Sequence, residues 1–338
     1  MPDPQLIHEK HDFLWHYTSA EGLKGILESQ RLWAFHYTHL NDSTEISHLR
    51  NELAQRLQPK LKELINTLRG KSFRAKRATR KLGGIKLAAN IQAQEFVGRI
   101  FEATFSDSVH GYPICDPYIV SFCSHLADDD HERKNGLLSQ WRSYAEGGYA
   151  IVFDTLALWK LLEREDKESY YMPLSLGDVV YEGDEAAFQL EFDRLMATLE
   201  EMAESELRGK ILTPENLYSD VVSAFTRFKH QGFKEEREVR IVASPLTFNV
   251  YSGMKREHED LEERDRALKQ FQLRRFGVEE KRFIELFDFK EDHPGLPIRR
   301  IIVGPHRNQD EMAQQAREWS KGMGIEITRS DTPYIGRK

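Results

Sequence analysis

Cysteine is nearly absent from this 338-residue chain: Cys115 and Cys123 are the whole complement. Two thiols cannot build a disulfide framework or a four-cysteine zinc site. Long apolar runs are missing as well. The longest, such as "YIVSFC" and "RIIVG", are far too short to span a bilayer. The opening "MPDPQLIHEKHD" has no basic n-region and no apolar h-region. It does not read as a signal peptide, and a cytoplasmic protein is the expectation. Positive charge is not in surplus: the net charge is -7. That excludes a generic polyanion binder and confines any nucleic-acid contact to a local patch. There is no G-x-G-x-x-G after a strand, no Walker loop, no G-x-S-x-G elbow and no H-E-x-x-H. Dinucleotide binding by a Rossmann turn is therefore not supported.

What is present suffices for a core, with 40% hydrophobic residues beside 30% charged ones. "DFLWHY" reads as a strand, followed by a short helix over Ala20 to Ser29. Thr18 stands three residues before Glu21, the capping-box spacing, and Asp42 repeats it before Glu45. "RLWAF", "YIVSFCS" and "YAIVFD" read as further strands, and "REVRIVAS" as a strand over 237–244. Ile46, Leu49, Leu53 and Leu57 mark a helix face that Pro59 is placed to break. Helices are expected over 185–207 and 214–229, and a strand–turn–helix–strand unit closes the chain from "IRRIIVG" to "IEITRS". "HLADDDHERKN" reads as a polar loop. Residues 69–86 carry eight Lys or Arg and no acid, as a basic insertion would. No internal repeat or long linker divides residues 1–338, so one domain is expected, with insertions near 69–86 and 185–230.

Four groups of residues could carry chemistry. "DDDHE" (128–132) has metal-like composition, but adjacent loop residues do not converge on an ion, and a hydrated loop is the plainer reading. Cys123 and His125 lie two apart and would share a strand face as nucleophile and base, yet a core-strand Cys is ordinarily just buried. On the first strand His16 and Thr18 face one way and Tyr17 the other. Tyr17 in the core, Thr18 as a helix cap and His16 at an edge would explain them structurally. Finally, Glu236, Glu238 and Arg240 share one face of the expected strand. This is either a solvated ion-paired face or a catalytic carboxylate held by a guanidinium.

The blocks "HYTSAEGLKGIL…LWAFHYTHLNDSTE", "FCSHLADDD…LLSQWRSYAEGGYAIVFD" and "FKEEREVRIVAS" together resemble the family called domain of unknown function 2971. The first block also resembles the start of ADP-ribosyltransferases of the diphtheria-toxin, PARP and DarT types. That resemblance implies an α+β fold with a split, twisted sheet and helical insertions. It assigns His16 to the first-strand role and Glu238 or Glu236 to the late-strand carboxylate. "E-R-E" is similar to the E-x-E of the arginine-specific branch. For the middle-strand role Phe122, Ser124, Trp141 and Tyr144 compete.

The implied function is transfer of ADP-ribose from NAD to a macromolecular acceptor, nucleic acid or protein, in a bacterial toxin or phage-defence effector. An antitoxin is an implied partner, and a membrane is not. The residue types suit that chemistry. Cleaving the nicotinamide–ribose bond builds positive charge on the ribose, which a fixed carboxylate stabilises. His16, Tyr17, Thr18, Trp141, Tyr144 and Arg240 would line the NAD cleft, with Glu238 and Glu236 catalytic. A helix N-terminus after Thr18 would offer free N–H groups to a phosphate. Arg74, Lys76, Arg77, Arg80 and Lys81 would meet a nucleic-acid acceptor. The rivals are an NAD glycohydrolase and a non-catalytic nucleic-acid or protein-binding module on the same fold.

Overall fold

Alternation in "FLWHYT" produces strand β1 (Phe13–Thr18), with Trp15 and Tyr17 buried on one side and Leu14 on the other. The computed structural model describes residues 4–39, 45–107, 110–126, 129–145, 148–214, 216–257, 266–290 and 292–333. Helix α1 (Pro4–Lys10) precedes β1, and α2 (Ala20–Ser29) follows it. Ser19, not Thr18, caps α2: its Oγ accepts from Gly22 N–H at 3.2 Å. Both residues suit the role; the chain stays extended through Ser19, which shifts the cap by one. The Asp42 cap lies outside the described residues.

Strand β2 (Leu32–His36) leads to three helices: α3 (Glu45–Lys71), α4 (Phe73–Lys81) and α5 (Ile85–Phe105). Helix α3 runs through Pro59 without ending. Proline costs a helix interior about 3 kcal/mol. Leu53, Leu57, Leu61 and Ile65 are all buried in the core shared with α5, at about 1.5–3 kcal/mol each, so packing wins. Next come β3 (Tyr118–Cys123), the short helices α6 (Asp130–Asn135) and α7 (Leu138–Gln140), and a π turn over Trp141–Ala145. The polar stretch read as a loop thus holds a helix, with Asp129 as its N-cap.

Strand β4 (Tyr149–Asp154), helix α8 (Thr155–Glu168), strands β5 (Tyr171–Asp178) and β6 (Val180–Tyr181), and helices α9 (Glu185–Leu207) and α10 (Leu217–Arg227) follow. Then come β7 (Phe228–Lys229), a 3-10 turn (Gln231–Glu236), β8 (Glu238–Pro245), α11 (Phe248–Glu257), β9 (Gln272–Phe276) and β10 (Glu279–Leu286). The chain closes with β11 (Ile298–Val303), α12 (Gln309–Trp319) and β12 (Glu326–Arg329), a parallel pair joined by a helix as expected.

The fold is α+β. Among the described residues ten strands form one mixed sheet, whose main path is β12-β11-β4-β1-β3-β2-β10-β9. Strand β8 pairs along the full length of β3, and β5 lies beyond it. Strands β1 and β2 therefore divide the other edge of β3: Cys123 pairs with Trp15, while Ile119 and Tyr118 pair with Phe35 and His36. The sheet forks between them. Residues of α1, α2, α8 and α12 bury one face in the main core. Helices α3, α5, α9 and α10 form a second core, reaching the other side through Phe225 and Phe228. Among the described residues no helix is long and apolar enough to cross a membrane.

Candidate functional site

Strand β8 starts at Glu238, one residue later than the sequence pattern suggests, because Arg237 takes a left-handed backbone with φ 43°. Glu236 therefore ends the preceding 3-10 turn and does not share a strand face with Glu238. The two carboxylates meet all the same, through a cation. Lys229 Nζ on β7 donates to Glu236 Oε2 at 2.6 Å and to Glu238 Oε2 at 3.0 Å. Arg240 closes the group, with Nε donating to Glu238 Oε1 at 2.8 Å and Nη2 to Oε2 at 3.0 Å. Its Nη1 donates to Thr226 O at 2.6 Å, tying the site to α10. The hydroxyl of Tyr181 accepts from Glu238 N–H at 2.9 Å.

Glu238, Arg240 and Lys229 are all buried. Burial alone would push the Glu238 carboxyl up. Arg240, Lys229 and a hydrogen bond from Ser121 overcome it and bring the pKa down to about 2. Burial would likewise discharge Lys229, but Glu238 and Glu236 hold its pKa above the ordinary value. Glu236 keeps 15% of its side chain exposed, against 6% for Glu238, so it is the more open carboxylate.

Register assigns the remaining residues to faces. Cys123 is opposite both Trp15 and Glu238, and Ser121 is opposite Arg240. Trp15, Tyr17, Ser121, Cys123, Glu238 and Arg240 thus share a face. Trp141 packs there too, its ring 4.8 Å from that of Tyr17 and edge-on. Gly136, at φ 74°, makes this possible, since a Cβ would come within 2.8 Å of the Trp141 ring and of Tyr17 Oη. The Trp141 indole is completely buried and donates to Asn135 O at 2.9 Å.

His16 and Thr18 alternate to the opposite face. The His16 ring lies 5.7 Å from that of Phe122, and Nδ1–H donates to Ser121 O at 2.9 Å, within the fork of the sheet. Thr18 lies against the first turn of α2, where a Cβ on Gly22 would meet its Oγ1 at 2.0 Å. One of the N–H groups expected to face a phosphate there, that of Gly22, is already taken by Ser19.

Of the competing middle-strand residues, Phe122 lies on the His16 face and Ser124 donates through Oγ to Arg237 O at 3.1 Å. Tyr144 is in the π turn, and its side chain lies outside the described residues. Cys123 and His125 have no hydrogen bond to one another among the described residues. Burial pushes the Cys123 thiol well up, and His125 follows the end of the strand, its pKa lowered to about 3 by burial and Arg237. Among the described residues no group of three or more His, Cys, Asp or Glu could hold a metal; Asp128 lies outside them. A cavity of about 570 Å³ lined by Arg50, Glu95, Arg99, Glu102 and Phe105 lies between α3 and α5, with none of the carboxylate cluster in its lining.

Sequence reasoning missed Lys229, Tyr181 and the Arg237–Glu132 ion pair that fastens α6 beside the cluster. A lone lysine inside "AFTRFKH" was the available signal. His48, on α3, has its ring 5.4 Å from that of His230, so the first turn of α3 lies beside the residue that follows β7.

Residues 140–241 match a family model described as "Protein of unknown function (DUF2971)". The match spans Trp141, β4, β5, Lys229 and the whole Glu236–Arg240 stretch, and leaves out β1. No curated protein and no solved structure matches the chain.

Proposed function

We propose that this protein transfers ADP-ribose from NAD to a macromolecular acceptor at the Glu236–Lys229–Glu238 cluster. The observation that carries the reading is the convergence of two carboxylates on one ammonium, on the sheet face shared with Tyr17 and Trp141. A carboxyl with a pKa of about 2 cannot act as a general acid near neutral pH, but it is a constant negative charge. Such a charge favours a transition state in which the ribose turns cationic. Glu238, with Arg240 and Lys229 on its two oxygens, fixes the field. Glu236, the more open of the two, is the group that would meet the ribose. The bond from C1′ to nicotinamide breaks with its electron pair leaving on nicotinamide, and the acceptor nucleophile takes C1′ and loses its proton. The resemblance to ADP-ribosyltransferases adds the role of toxin or phage-defence effector by analogy only.

A second reading has its own observation. His16 faces away from Glu238, and the Trp141 ring has no exposed face. A binding module that keeps the fold without the chemistry would tolerate both. Purified protein incubated with NAD labelled in the adenylate tests the two, with lysate fractions as acceptors. Label on a macromolecule supports transfer. Free ADP-ribose with nicotinamide identifies a glycohydrolase. Intact NAD under all conditions leaves the binding module.

A further inference from the structure

We propose that helix α4 is a docking surface for single-stranded nucleic acid. The proposal names a partner for this chain and does not depend on ADP-ribosyl transfer. Helix α4 joins α3 to α5 and turns one narrow side to them: Thr79 is buried and Ala75 half-buried. At 100° per residue, Arg74, Lys76, Arg77, Arg80 and Lys81 spread over an arc of about 160° on the outer side. All five are exposed. Lys71 and Lys86 flank the helix and are exposed as well. Among the described residues none of these cations has a carboxylate within ion-pair distance, whereas arginines on other helices, such as Arg56, Arg99 and Arg164, do. A chain of net charge -7 thus gathers five positive charges on nine residues, with no carboxylate partner among the described residues.

Phe73 lies in the middle of that arc and is 83% exposed. An aromatic ring set among cations is what an unstacked base needs: the ring takes the base and the cations take the flanking phosphates. A duplex keeps its bases stacked and gives Phe73 nothing to do. A membrane-surface helix would instead need a broad apolar stripe towards the bilayer. Here the outward arc is cationic with one aromatic, and Ala75 and Thr79 face the protein.

The test is fluorescence anisotropy of labelled oligothymidine and oligouridine, each about 15 nucleotides long, a length within the usual site size. No NAD is added, and salt is raised from about 50 to 200 mM. Five phosphate contacts give a log–log slope of about -3.5. Replacing Arg74, Lys76, Arg77, Arg80 and Lys81 together by Gln, itself a good helix former, brings the slope towards zero and weakens low-salt binding at least tenfold. Phe73→Ala, at an exposed site with no fold to lose, weakens binding roughly tenfold with the slope unchanged. Preference between the two oligomers identifies DNA or RNA. The proposal is overturned if neither oligomer binds at low salt, if the five-residue variant binds as well as the parent, or if the protein binds only phosphatidylserine vesicles.

Discussion

His16 and Glu238 lie on opposite faces of the sheet. Both are tied to Ser121, the histidine to its carbonyl oxygen and the carboxylate to its hydroxyl. The ring of His16 therefore stands where β1 and β2 part, bonded to the carbonyl of a residue that has no register partner in either of those strands among the described residues. Truncating it strands that acceptor at a cost of about 1–3 kcal/mol. His16→Ala should lower the urea midpoint accordingly, while nicotinamide release per folded molecule stays within about twofold, the scatter expected for a residue outside the reacting centre. A folded variant with a tenfold loss of release would place His16 in the site after all.

The two carboxylates should separate cleanly. Glu238→Gln takes from the buried Lys229 and Arg240 the carboxylate that they share. Breaking a buried ionic group this way costs about 3–5 kcal/mol. Glu236→Gln removes a more open partner while Glu238 still holds Lys229, so about 1–2 kcal/mol is expected. Thermal melts of the two variants side by side decide it. Equal losses would mean that the cluster does not have the inner and outer carboxylates described above.

Acid sensitivity has a source in His125. Its pKa is about 3 in the folded chain, against 6.5 ordinarily, through burial and then Arg237. Between those values the unfolded chain binds a proton that the folded chain refuses. Stability is therefore complete above about pH 6.5 and declines below it, by about 1.4 kcal/mol per pH unit. From pH 7 to pH 5 that amounts to about 2 kcal/mol. His125→Phe keeps a ring beside Trp15, 4.1 Å away in the native protein, and should lose about 2 kcal/mol less over the same interval. His16, also lowered mainly by burial, stays in both proteins and cancels. Identical pH dependence of the urea midpoints would contradict the assignment.

Pro59 offers a gain. It is exposed in the middle of α3 and gives no N–H to Gln55 O. Pro59→Ala restores that bond and relieves the ring, so an increase of about 1–3 kcal/mol is expected. A fall in melting temperature would show that the proline sets a bend the bundle needs.

Much of the local structure was legible in the residues. "FLWHYT" alternates, and β1 follows; "AEGLKGILES" has helical spacing, and α2 spans it from end to end. Two of the strands that escaped notice had weak patterns. "YMPLSLGD" in β5 contains Pro173 and Gly177, and β9 has every residue exposed, so neither shows a buried periodicity. The site was half legible. Glu236, Glu238 and Arg240 stood together in the sequence, but a left-handed Arg237 between the two acids cannot be read from residue types, since arginine rarely adopts that backbone. Lys229 was out of reach because it arrives on a separate short strand. Which face His16 shares with which carboxylate depends on register across three strands, and a single sequence carries no such register.

The most direct test of the central claim is nicotinamide release from NAD by the purified protein and by Glu236→Gln, with folding of both checked by circular dichroism. The parent should release nicotinamide, and the folded variant should do so on the order of a hundredfold more slowly, as expected when a group that stabilises developing charge is removed. Release at the same rate from both, or none from the parent with any acceptor, would contradict ADP-ribosyl transfer at this cluster.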